Sequence, residues 1–77
     1  MIIDDIKPGM FVTISAPAQN IVVFIVGDDS EREAFTTVDL NRMKLSFLSY
    51  YAVTKDMKEF SGDIDVAKKK TIRSIFI

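Results

Sequence analysis

The sequence predicts a mainly β fold: a small barrel or curled antiparallel sheet of four to five strands, with one or two short helical segments. Three observations carry this expectation. Ile21–Val26 is an uninterrupted apolar run, mostly β-branched, of strand length and bounded by turn residues. Met10–Ser15 alternates, with Met10, Val12 and Ile14 on one face and Phe11, Thr13 and Ser15 on the other. Glycine and proline fall at Pro8-Gly9, Pro17, Gly27 and Gly62, where they divide the chain into short pieces. A second form stays open, an α+β fold with a helix near 39–53 packed on a smaller sheet.

Taken in order, Lys7-Pro8-Gly9-Met10 is a turn that launches the first strand, because Pro8 presets φ and Gly9 tolerates positive φ. Ala16-Pro17-Ala18-Gln19-Asn20 interrupts it, since proline cannot donate to a central ladder. The Ile21–Val26 run reads as a strand covered on both faces, with either Val23 and Ile25 or Val22 and Phe24 at the hydrophobic centre. Gly27-Asp28-Asp29-Ser30 is expected to turn the chain, with 28–33 an acidic solvated loop and Ala34–Val38 the returning strand.

Residues 39–53 read two ways. On helical spacing Leu40, Met43, Phe47, Leu48 and Tyr51 form an apolar stripe behind Asp39 as N-cap. On strand spacing Leu45, Phe47, Tyr51 and Val53 share a face. The expectation is a short helix or helical turn over 39–47 followed by a strand over 49–55. Ser61-Gly62-Asp63 makes a turn, 65–70 forms one helical turn, and Thr71–Ile77 is the last strand. So apolar an end, Ile75-Phe76-Ile77, is expected to be tied into the sheet or into a partner.

Seventy-seven residues, 48% of them apolar and 27% charged, make one soluble domain with a collapsed core. No apolar run reaches the length a membrane helix requires. Asp4 and Asp5 stand where a signal peptide carries basic residues, so a cytoplasmic setting is expected. Cysteine, histidine and tryptophan are all absent, which removes disulfides and every thiolate or imidazole metal site. The remaining carboxylate pairs, Asp4-Asp5, Asp28-Asp29 and Asp63/Asp65, lack the ligand spacing of a calcium loop. The three glycines are too scattered for a phosphate loop. The expectation is a protein that is not an enzyme and uses no cofactor or metal.

Lys7-Pro8-Gly9-Met10-Phe11-Val12 is similar to the turn-and-strand opening of many SH3-like small barrels, which also tend to place a helical turn before the closing strand, as 65–70 does on this reading. The resemblance implies a small barrel and carries no functional residue over. Barrels of that kind bind RNA, DNA, peptides and one another.

Two features point to recognition. Lys68-Lys69-Lys70 with Arg73 is a basic run of the kind that meets phosphate backbones, with Tyr50 and Tyr51 as stacking surfaces. Edge lysines that discourage aggregation have the same composition. The chain is also unequal in charge. Residues 1–40 hold Lys7 and Arg32 against seven carboxylates, and residues 41–77 hold eight Lys and Arg against four. Six Phe, two Tyr and four Met exceed what so short a chain buries, which leaves apolar surface for a protein partner or a second copy. The expected function is therefore a non-enzymatic binding or regulatory module acting through protein contacts, self-association into a dimer included. Such a chain also suits an accessory protein of a phage or mobile element that modulates a host protein. The alternative is a nucleic-acid-binding small barrel using Lys68–Arg73.

Overall fold

The computed structural model describes residues 1–15 and 20–76 of the 77-residue chain. Five strands, β1 (Phe11–Ile14), β2 (Ile21–Asp29), β3 (Ala34–Asp39), β4 (Lys44–Ser49) and β5 (Lys58–Glu59), precede one α-helix, α1 (Val66–Phe76). The strands form a single antiparallel sheet in the order β4-β3-β2-β1-β5. Among the described residues nothing pairs β4 with β5. The mainly β expectation thus holds as a curled open sheet, and the closed barrel does not form.

The opening turn forms as its residues require. Gly9 has φ of 92°, which a side chain would resist, and the Met10 N–H donates to the Lys7 carbonyl at 3.3 Å. The predicted interruption at 16–19 lies outside the described residues. β2 does not stop at Gly27 as expected but continues to Asp29, with a register shift between Ile25 and Gly27. Such a bulge adds a residue and bends the strand instead of ending it.

Both following hairpins use one device. Asp29 pairs with Ala34 and Asp39 with Lys44, each across a four-residue loop whose last residue, Glu33 or Met43, has φ of 53°. In each case the leading aspartate accepts loop N–H groups: Asp29 from Arg32, and Asp39 from Asn41 and Arg42. The carboxylate replaces backbone partners that the turning chain lacks.

Two sequence expectations are corrected here. Residues 39–47 are not helical, and the α+β alternative with a helix near 39–53 falls with them. Asp39 caps a tight turn, Lys44–Ser49 is a strand, and Tyr50–Ala52 is one 3₁₀ turn in place of the strand that the sequence predicts over 49–55. At the C-terminus, the helix begun at 65–70 runs on through Phe76, so no strand forms over 71–76; Ile77 lies outside the described residues. Asp65 accepts the Ala67 N–H at 2.8 Å, and the Thr71 and Ser74 hydroxyls donate back to the Ala67 and Lys70 carbonyls. Those local bonds satisfy the hydroxyls of two residues that disfavour helices, whose place in one is set by the packing of α1 on the sheet.

The sheet is covered on both sides. On one face Val12, Val23, Ile25, Phe35 and Leu48 are buried with Ile6 and Met57, and half-buried Tyr50 and Val53 pack beside them. This is the face that carries Met10, Val12 and Ile14. On the other, α1 lays Ile72 and Ile75 against Val38 and Leu40 and against half-buried Phe11, Val22 and Phe24. Val23 and Ile25 are therefore the central pair, and a continuous apolar run is what two covered faces demand. Part of the apolar C-terminus is used within the chain, through Ile75.

Candidate functional site

The basic run lies on α1. Helical spacing places Lys69 and Arg73 four apart on one side, with Lys70 three residues before Arg73, and all three are exposed. Lys68 turns toward the start of the helix. There it lines a cavity of about 260 Å³ with Asp63, Asp65, Ile64, Val22, Leu40, Asn41 and Phe60.

Lys69 and Arg73 flank a cleft of about 220 Å³ between α1 and the β1–β2 ladder, lined further by Phe11, Phe24 and Ile72. Phe11 and Phe24 are paired across the ladder, their rings tilted at 53° with centroids 5.0 Å apart. Among the described residues, no carboxylate comes within ion-pair distance of Lys69 or Arg73; the ion pair present joins Arg32 to Asp29 at 3.4 Å. The cleft thus presents an aromatic floor and a cationic rim. Sequence reasoning found the rim and missed the floor. The signal was there, because a strand apolar on both faces must have something laid over Phe24.

The tyrosines do not join this site. Tyr50 packs edge-on against Phe35, 5.2 Å between centroids, on the face opposite α1, and its hydroxyl donates to Asp28. Tyr51 is 84% exposed, and its hydroxyl donates to Glu33 at 2.6 Å. Both hydroxyls bond to carboxylates at the acidic loop, and Tyr50 lies across the sheet from the lysines. The tyrosines form no common stacking platform with the basic run. Asp28, Asp29 and Glu33 each engage a separate partner, and among the described residues no three carboxylates converge to hold a cation.

The phenol of Tyr50 is pushed up to about 12, first by its hydrogen bond to Asp28, then by partial desolvation and the charges of Asp28, Asp29 and Glu33. Tyr51 is raised by its bond to Glu33. A folded pKa above the unfolded value near 10 stabilises fully below pH ~10 and is lost as pH rises through about 12. Thermal stability is therefore expected to fall across that window, and Tyr50→Phe to flatten the fall. Absorbance of tyrosinate in folded and denatured protein measures it directly. A folded titration that overlays the denatured one would remove the Asp28 and Glu33 bonds from solution.

No protein-family model, curated protein or solved structure matches this chain. Among the described residues no helix is long and apolar enough to cross a membrane.

Proposed function

We propose that this chain is a small non-catalytic binding module whose α1/β1–β2 cleft takes an apolar anchor side chain from an acidic segment of a protein partner. One observation carries the reading: an apolar floor of Phe11, Phe24 and Ile72 beneath two cations, Lys69 and Arg73, that have no carboxylate partner among the described residues. The floor offers apolar contact to a large side chain, and the rim supplies electrostatic complementarity to flanking Asp or Glu. Occupying its partner in this way would give the module an accessory or regulatory role. A cysteine-free chain fits the cytoplasm, where disulfides are rarely used. The SH3-like likeness rests on the opening turn and supplies no binding residue to this reading.

A second reading has its own observation. Because 68–70 are helical, Lys69, Lys70 and Arg73 form one solvent stripe that can meet a phosphate backbone, which an extended strand would have split between two faces. Two or three contacts would give a slope of log affinity against log salt of about −2 to −3 on duplex DNA. Lys68 beside Asp63 and Asp65, and Tyr50 on the far face, weigh against it.

The test is selection from a random peptide library, followed by titration of the selected peptides and of labelled oligonucleotides at two salt concentrations. Acidic residues flanking a large apolar one should be enriched. The Lys69→Glu/Arg73→Glu double variant should lose binding at least tenfold, while Lys70→Glu changes it little. No enrichment, or binding indifferent to the double variant, rejects the cleft. Oligonucleotide binding that loses strength equally with Lys69→Glu, Lys70→Glu and Arg73→Glu selects the phosphate reading.

A further inference from the structure

The open edge of the sheet differs in character from the cleft. β4 is a six-residue edge strand. The Tyr50 N–H donates to the Glu33 carbonyl at 2.8 Å, and antiparallel alternation from that bond turns the N–H and C=O groups of Leu45, Phe47 and Ser49 toward the open side. Leu45 and Phe47 are 50% and 49% exposed at the margin of the face that α1 covers, although Arg32 lies over the Phe47 ring at 4.9 Å. Edge strands with unpaired backbone and exposed apolar side chains are templates for another strand.

From these features we infer that β4 pairs antiparallel with β4 of a second copy, on a two-fold axis at Ser46, to make one continuous ten-stranded sheet of two five-stranded halves. The occupant follows from self-complementarity. With Ser46 opposite Ser46, the outward backbone groups of Leu45 meet those of Phe47 in the other copy, twice over, and the four half-exposed side chains cover one another. Charge selects the same orientation. Arg42 and Lys44 stand at the start of β4, while its end adjoins the loop carrying Glu31 and Glu33. An antiparallel pair sets each basic start against the other copy's acidic end, whereas a parallel pair sets like against like. The unequal charge of the two halves of the sequence thereby has a use. So short an interface makes a concentration-dependent dimer, dissociating in the micromolar range.

Sedimentation equilibrium of the intact chain should show a reversible dimer. Phe47→Lys should yield a monomer with an unchanged circular dichroism spectrum, and Leu45→Lys is the second variant should the first misfold. Arg42→Glu should weaken the dimer, and adding Glu33→Arg should restore it. The chain has no cysteine, so Ser46→Cys tests the axis itself. Opposed residues at a non-hydrogen-bonded position lie roughly 4.5 Å apart at Cα, within disulfide reach. That variant should oxidise to a covalent dimer far faster than Ser61→Cys. A monomer throughout the micromolar range overturns the inference, as does a Ser46→Cys chain that cross-links no faster than the control. Lys69→Glu and Arg73→Glu should leave the dimer intact, so this inference and the peptide cleft stand or fall separately.

Discussion

Phe35→Ala is expected to bring the domain to the edge of unfolding at room temperature. Phe35 is 2% exposed on a strand paired on both sides, among Ile25, Leu48 and Met57, with Tyr50 edge-on to its ring. Removing a buried phenyl group costs about 3–5 kcal/mol, the transfer of its atoms plus a cavity that the surroundings fill only in part. Hydrogen-bonded strands on either side hold the walls of that cavity apart, which sets the expected loss at the upper end. A chain of this length has on the order of 4–12 kcal/mol of stability in all, so one substitution removes a large share. Urea unfolding of the two proteins measures the difference. A variant with the parent midpoint would show that Phe35 is not the centre of this face.

The parts of the fold readable in the sequence were those where one local rule had no competitor. Ile21–Val26 announced a strand covered twice, and the structure supplies both covers, the 1–10 and 50–57 segments on one side and α1 on the other. Val12 between Met10 and Ile14 announced the more deeply buried face of β1, while Phe11 on the face read as exposed is half-buried under α1. Asp39 is where the reading failed, and the reason is physical. An aspartate accepting the N–H groups two and three residues on is the start of a helix and also the start of an Asx turn, so the first three residues cannot tell them apart. Met43 decides, because its positive φ ends any helix one turn in and points the chain back along β3. The helical stripe then proves accidental: Leu48 is buried on one face of β4, and Phe47 is half exposed on the other.

Thr71, Ile72, Ile75 and Phe76 have strand propensity, and tertiary context overrode it. The sheet had a second apolar face to cover, and two isoleucines three apart on a helix cover it. The same override hid the candidate site. Charge was legible at Lys68–Arg73, but a strand would have set Lys68 and Lys70 on the face away from Lys69 and Arg73, whereas the helix draws Lys69 and Arg73 within one turn of each other beside Phe11 and Phe24. The hydroxyl bonds of Tyr50 and Tyr51 depend on the bulge that carries β2 to Asp28 and on the loop that ends at Glu33. Neither was visible as spacing.

The second large effect concerns Ile72, the side chain that fastens α1 to the sheet. It is 3% exposed between Val38 and Leu40, with Phe11, Val22 and Phe24 beside it. An eleven-residue helix is shorter than an isolated helix needs to persist in water, so α1 depends on this docking. Ile72→Ala is expected to cost about 2–5 kcal/mol. For a domain of this size that lowers the melting temperature on the order of 10–30 °C. The far-UV helical signal should be lost before the β signal, because β1–β4 keep their ladder and their other covered face. Lys70→Ala on the same helix removes an exposed side chain and should stay within about 0.5 kcal/mol of the parent. Undocking α1 also strips the floor from the cleft and parts Lys69 and Arg73 from Phe11 and Phe24. Peptide binding should therefore disappear in Ile72→Ala below its melting point. If Ile72→Ala keeps both its melting temperature and its helical signal, α1 is not held by this face, and the cleft loses one of its walls.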